Sequence, residues 1–463
     1  MINTNKYILE SSFRDPDSFV FLYQGEIYRQ INNSYKENYL YLKDSGLYDV
    51  LVSKNYLLEH REVELPRIIT PNGYKILKPQ KIEFISYPPE WCFSQLKDAA
   101  LLTLEIQKIA LRYKMSLKDA SAYNIQFYKG KPILIDIGSF EKYERKPWAA
   151  YKQFCQHFLA PLALMCYKDI RLNKLLNIFL DGIPLDLVSK MLPFSTYFNL
   201  SLLFHIHLHA KSQCYFSDTD KIMKIKSYNF KEISFNGLID SLESCIRKME
   251  LKQINSVWSN YYRDFNYSNT GFRHKIQIIE KFVEKIRPRN VWDLGSNEGI
   301  FSQMIAEKGI FVVSLDMDPI VVEKNYLKSK AKREKNLLPL VIDLTNPTPS
   351  FGWQNKERVS FLERGPTDMA IALALIHHLA ISNNLPLDYI ANFFYNICTY
   401  LIIEFIPKDD LQVEKLLLVR KDIFNDYTQE NFEKIFRKYF IIEDIIKIID
   451  SKRVIYLMKK QKI

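Results

Sequence analysis

The chain has 463 residues, 47% hydrophobic and 25% charged, a balance that excludes a disordered or low-complexity protein, and its length suits two or three domains of roughly 150 residues. Its 64 Lys and Arg against 53 Asp and Glu leave a formal charge of +11, which permits an anionic partner without demanding nucleic acid. Six cysteines with no CxxC pair and no regular spacing argue against a disulfide framework or a zinc ribbon and suit a reducing compartment.

The opening residues, Met1 to Lys6, lead into no apolar stretch of a signal peptide. The longest uninterrupted apolar run, Met369 to Ile376, is far short of the roughly 20 residues that span a bilayer. A soluble cytoplasmic protein without a membrane span is expected. Aromatics reach 14%, whereas glycine is scarce at 13 residues, so each glycine is informative.

From Ser18 to Ile31 two alternating stretches flank Gln24-Gly25 and read as a β-hairpin. A second β-like stretch lies between Leu65 and Tyr87, punctuated by Pro71-Asn72-Gly73 and Pro79. From Ser94 to Met115 apolar residues recur at threes and fours, the spacing of a helix. A loop, Lys118 to Asn124, leads to a tight hairpin that runs from Ile125 through Lys129-Gly130 to Asp136. Residues 147–250 read as helical, interrupted at Pro161, Gly182-Ile183-Pro184 and Pro193. Within them His205, His207 and His209 alternate, but a third metal ligand is not named by the sequence, so core or helix-face packing is expected. No metal site is assigned.

After about residue 250 the character changes. Strands are expected at Asn290–Leu294, Phe311–Asp316, Pro339–Leu344, Asp368–Leu373 and Tyr400–Phe405, alternating with helices, which implies a parallel sheet covered on both faces. Two final runs, Tyr439–Asp444 and Arg453–Met458, are close enough to pair antiparallel. The division is expected in 215–255, with domains at 1–245 and 255–463. The basic run Lys328 to Lys335 reads as a solvated helix end.

The strongest motif joins the first of these strands to its helix: Asp293-Leu294-Gly295-Ser296-Asn297-Glu298-Gly299. A glycine-rich strand-to-helix turn lets a ligand approach the backbone at the carboxyl edge of a sheet. Dinucleotide binding calls for G-x-G-x-x-G, whereas this is D-x-G-x-x-x-G. An acid there repels a pyrophosphate and attracts an ammonium or sulfonium, and S-adenosylmethionine carries both. Asp316, ending the second strand, is expected to accept both ribose hydroxyls. Asp343, expected to end the third, is placed for the adenine amino group. Asp293, Gly295, Asn297, Gly299, Asp316 and Asp343 are therefore the expected cofactor residues. His377 and His378, following the fourth strand, are candidate bases on an acceptor hydroxyl, with strand capping the alternative, and Glu404 at the same edge ranks below them.

These motifs, the strand order and the terminal hairpin resemble a class I S-adenosylmethionine-dependent methyltransferase over about 255–463. More narrowly, Trp258-Ser259-Asn260-Tyr261-Tyr262, Leu373 to Leu379, Leu401 to Lys408 and Ser116 to Phe127 resemble the NoeA-like nodulation methyltransferase group. That resemblance implies a carbohydrate-related or small polar acceptor. Asp119-Ala120-Ser121-Ala122-Tyr123-Asn124 has the D-x-x-x-x-N spacing of a kinase catalytic loop, and Asp136-Ile137-Gly138 follows a hairpin as D-x-G does in kinase and aminoglycoside-phosphotransferase folds. In that family the first Asp receives the hydroxyl proton while the Asn and second Asp hold Mg²⁺, roles that fall on Asp119, Asn124 and Asp136. Here Leu117-Lys118 replaces His-Arg, the first hairpin has one glycine, and no Val-Ala-Ile-Lys strand is visible, although Lys75 and Lys78 lie in a β-like region.

The expectation is thus an α/β fold: a Rossmann-like seven-stranded methyltransferase domain preceded by an α+β kinase-like domain without catalysis of its own. The expected reaction is methyl transfer from S-adenosylmethionine to an oxygen, less readily a nitrogen, of a small-molecule or glycan acceptor. Nucleic acid is not expected, since the basic residues form no aromatic-interleaved stripe. The alternatives are a kinase-like binding or regulatory protein whose methyltransferase domain senses the cofactor, or a phosphotransferase using Asp119, Asn124 and Asp136.

Overall fold

The computed structural model describes residues 8–64, 70–211, 232–252, 256, 267–418 and 420–462. Cys214, Trp258 to Tyr262, Leu65 to Ile69 and much of the boundary region at 215–255 lie outside them. The chain divides into two compact units, Met1–Lys252 with Ser350–Val359, and Gln253–Pro349 with Ser360–Ile463.

The first unit is α+β and antiparallel. Strands β1 (Ser18–Tyr23) and β2 (Glu26–Asn32) form the expected hairpin. Gln24 and Gly25, at φ 51° and 79°, supply the two left-handed residues of a turn that matches strand twist. With β3 (His60–Val63) and β4 (Gly73–Pro79) they make a sheet of order β1-β2-β4-β3. The long helix is Phe93–Arg112, opened by the Gln95 side chain accepting from the Cys92 N–H at 3.0 Å. It stops short of the expected Met115 because Lys114 turns left-handed, at φ 57°, and Met115 pairs instead with Lys142. That pairing joins β5 (Met115–Leu117) to β8 (Phe140–Lys142) around the β6–β7 hairpin (Ile125–Tyr128, Lys131–Leu134). Ser350–Val359 belongs here: Phe351 packs with Tyr87 and Tyr123, and Arg14 pairs with Glu357 at 2.7 Å.

In the second unit seven strands form one sheet, β11-β10-β9-β12-β13-β15-β14. They are β9 (Asn290–Leu294), β10 (Phe311–Asp316), β11 (Leu337–Val341), β12 (Thr367–Ala372), β13 (Cys398–Phe405), β14 (Phe440–Lys447) and β15 (Val454–Lys460). The first five in that order run parallel, and β15 lies antiparallel between β13 and β14. This is the seven-stranded Rossmann-like sheet with a terminal antiparallel hairpin. The central strands read as near-continuous apolar runs because both faces are covered, with Ile278, Phe282, Val291, Val312, Met369, Ile402 and Ile455 in the core. The order reverses between β9 and β12, and a crevice opens at the carboxyl ends of strands at such a switch point.

The third strand corrects the sequence reading, which ran it from Pro339 to Leu344. Pairing with β10 ends at Asp316 opposite Val341, and Asp343 has already turned, its carboxylate accepting from the Thr345 N–H at 2.9 Å and hydroxyl at 2.7 Å. Pro339 is tolerated within β11 because that strand is an edge. Among the described residues no helix is long and apolar enough to cross a membrane.

Candidate cofactor and active site

The turn after β9 is built from residues that can occupy left-handed backbone. Gly295, Asn297 and Gly299 have φ of 74°, 51° and 76°, and the Gly295 and Ser296 N–H groups donate to the Leu315 carbonyl at 2.8 and 3.0 Å. A Cβ on Gly299 would sit 2.3 Å from the Asn325 amide, itself buried and donating to Ser314 Oγ at 2.8 Å. Gly299→Ala combines left-handed strain with overpacking and is expected to cost about 2 kcal/mol, read as a lower unfolding temperature of the variant.

Asp293, inside β9, is buried; Ser302 Oγ donates to it and lies 2.9 Å from Ser314 Oγ. Asp316 ends β10, with Oδ2 accepting from the Asn297 N–H at 2.8 Å and Oδ1 from the Asp318 N–H at 2.9 Å. The Met317 N–H bonds the same carboxylate, whose remaining acceptor capacity is open to a further donor. Burial pushes both carboxyls up to about 6. Asp293, Gly295, Asn297, Asp316, Asp343 and His378 all line a single cavity of about 400 Å³, with Ile342, Leu344 and Leu375 supplying apolar wall. Gly299 and His377 are not in the wall: His377 is 2% exposed, and its Nδ1 has no hydrogen-bond partner among the described residues.

These residues fit S-adenosylmethionine. A buried acid suits its ammonium and sulfonium, a strand-end carboxylate with spare lone pairs suits a ribose diol, and Gly295, where a Cβ would lie 3.2 Å from Leu375, admits close approach to backbone.

The same cavity holds residues that sequence reasoning missed. Tyr267, Phe272 and Lys275 line it. Lys275, from the helix Asn269–Ile286, donates to Glu404 Oε2 at 2.7 Å and to the Tyr267 hydroxyl at 3.0 Å. Tyr267 in turn donates to Glu404, and Arg453 reaches the Tyr267 hydroxyl at 2.7 Å while gripping Asp410 at 2.8 and 3.0 Å. Glu404 is wholly buried. Burial alone would raise its carboxyl, but Lys275 and Arg453 outweigh it and hold the group below the usual range. An acid inside the apolar run Leu401–Phe405 signals a buried counter-ion, but nothing in the sequence says which cation supplies it.

His378 is held down to about 4 by burial, so its imidazole is neutral at pH 7. A neutral ring nitrogen at the carboxyl end of β12 can accept a proton.

In the first unit Asp119, Asn124 and Asp136 come together. Asn124 hydrogen-bonds Asp119, and its amide donates to Ser139 Oγ at 3.3 Å, which donates to Asp136 Oδ2 at 2.7 Å. His205 and His207 are buried and bond hydroxyls: Tyr151 and Ser241 for the first, Ser189 and Thr196 for the second.

The chain matches no protein-family profile. It is similar to the nodulation protein NoeA of Rhizobium meliloti (strain 1021), 33% identical over 458 residues, or 97% of this chain and 95% of that one. It also matches the O-antigen chain terminator bifunctional methyltransferase/kinase WbdD of Escherichia coli, 32% identical over 98 residues, which cover 20% of this chain and 12% of WbdD. Among solved structures, the N-methyltransferase NodS of Bradyrhizobium japonicum WM9 in complex with S-adenosyl-L-homocysteine aligns with 44% of this chain and 93% of its own, at 10% identity and a TM-score of 0.33.

Proposed function

The chain belongs to the NoeA family of nodulation proteins and carries the sheet and crevice of an S-adenosylmethionine-dependent methyltransferase; from that premise we propose that it transfers the cofactor's methyl group to an oxygen of a carbohydrate-related or small polar acceptor. The observation that carries this reading is the convergence of Asp293, Gly295, Asp316, Asp343 and His378 on one cavity at the switch point. Bound S-adenosylmethionine supplies an electrophilic methyl on a positively charged sulfur. Asp293 receives the ammonium end, Asp316 the ribose hydroxyls and Asp343 the adenine edge. The wall of Leu373, Leu375 and Leu379 excludes water beside them. His378 takes the acceptor's hydroxyl proton on an imidazole nitrogen. His377, buried and outside the cavity wall, packs its ring against that of His378, 4.0 Å away between centroids.

Incubating the protein with methyl-labelled cofactor and a bacterial glycan and metabolite extract tests the reading. A labelled sugar or small polar product supports it. Cofactor binding with no labelled product from any extract would favour a cofactor sensor, and no binding at millimolar cofactor would refute both.

The acids set a pH dependence. Between pH 7 and pH 5 the ionised fraction of a carboxyl with pKa about 6 falls about tenfold, so cofactor affinity should fall by about that factor for each of Asp293 and Asp316. Asp316→Asn should weaken binding at pH 7 and flatten this dependence in calorimetry. In the unliganded protein the sign is reversed. Both carboxyls hold protons more tightly folded than unfolded, so the stability they contribute is present below pH ~4 and is lost as pH rises through about 6.

A further inference from the structure

The kinase-like arrangement in the first unit implies a divalent cation on Asp136 and Asn124, and the Asp136 carboxylate is already engaged by protein donors. Arg29 projects from β2, buried, and donates from Nη1 to Asp136 Oδ1 at 2.6 Å and to Ser18 Oγ on the neighbouring strand at 2.7 Å. The same Oδ1 accepts from the Gly138 N–H at 3.1 Å, and Oδ2 accepts from Ser139 Oγ. Asp136 is therefore satisfied on both oxygens by a guanidinium, an amide and a hydroxyl. Asn124 turns its Nδ2 to Ser139 Oγ at 3.3 Å, tying the catalytic-loop asparagine to the same hydroxyl that holds Asp136. Lys118, which precedes the loop's Asp119, pairs with Asp17.

We infer that Arg29 is a built-in cation standing where a divalent metal would sit, so that the first unit is a metal-independent module in which the β1–β2 hairpin is latched to the D-x-G turn. A guanidinium neutralises the carboxylate as a metal would, but it is covalently fixed, offers no exchangeable coordination position and cannot polarise a phosphate held by the metal. Hairpin and turn, 107 positions apart in sequence, are joined by a charge-assisted bond that needs no ligand. This inference is independent of the methyl-transfer reading and survives its failure.

Two measurements on the full chain decide it. In a titration of Mn²⁺ with and without ATP, followed by the spin-resonance signal of free Mn²⁺, no uptake is expected at millimolar concentrations. Saturable Mn²⁺·ATP uptake that disappears in Asp136→Asn would overturn the inference. In thermal unfolding, Arg29→Met and Asp136→Asn should each lower the transition by about 10 °C, because each leaves a buried charge or its partner unpaired. The double variant should lose clearly less than the two losses added together. Additive losses would show that the two groups do not act as a latch, and would overturn the inference as well. The Mn²⁺ titration uses the unaltered protein and stands even where a variant fails to fold.

Discussion

Replacing His378 by Ala is expected to lower kcat roughly 100-fold to 10,000-fold, the range over which a positioned general base contributes, while cofactor affinity changes little. The position of the ring follows from backbone. β12 leaves the sheet after Ala372, Ala374 takes a left-handed φ of 50°, and its N–H is tied to Glu404 Oε2 at 2.8 Å. The next turn carries His378, whose N–H donates to the Leu375 carbonyl at 3.0 Å, into the cavity wall. Because burial holds the imidazole down to about 4, kcat should show no acidic limb from this group above about pH 5. His377→Ala is the control. That ring is in the core rather than the wall, so its loss should lower the unfolding temperature and leave most of kcat. Rates are read as label entering the acceptor identified from the extract. Equal kcat losses in the two variants would mean that the histidines act as a structural pair.

Lys275→Met is expected to destabilise the second unit by about 4 kcal/mol, the cost of leaving a buried carboxylate without its partner. For a unit of this size that is a drop of roughly 10 °C or more in the unfolding temperature. Glu404 would keep the Tyr267 hydroxyl, the Ala374 N–H at 2.8 Å and the more distant Arg453 at 4.0 Å, none of which replaces the charge of an ammonium at 2.7 Å. Lys275→Met with Glu404→Gln should recover part of the loss, since the pair removed together leaves no orphaned charge. A double variant as unstable as the sum of the two singles would show that the network is held by Arg453 and Tyr267 rather than by this pair.

Elements with strong local signals were legible in the sequence. The first hairpin is set by Gln24-Gly25, β10 is an apolar run closed by Asp316, β9 carries Asp293 one residue before its end, and the turn at Gly295 and Gly299 has a D-x-G-x-x-x-G spacing that departs from the dinucleotide pattern. Asp343 lines the cavity but does not end a strand, because its Asx turn with Thr345 competes locally with strand pairing in a way that apolar patterning does not register. Lys275, Tyr267 and Arg453 were not legible at all. Each reads as an ordinary polar residue of its helix, loop or strand edge, and only folding brings them to Glu404 across separations of 129, 137 and 49 positions. Arg29 was missed for the same reason. A lone arginine in an alternating strand gives no hint that its face is the buried one.

Ser350–Val359 has a consequence for how such a protein can be taken apart. The chain leaves its first unit at Lys252, returns at Ser350 and departs again at Val359, so no single cut yields two whole pieces. A fragment ending at Lys252 would keep Tyr87 and Tyr123 but lose Phe351, and would keep Arg14 but lose Glu357. A gene carrying only the remainder would export a decapeptide whose apolar and charged partners stay behind. The two halves are therefore bound as a single heritable object. Exchange of one half for a foreign counterpart succeeds only if the graft also replaces those ten residues inside the other.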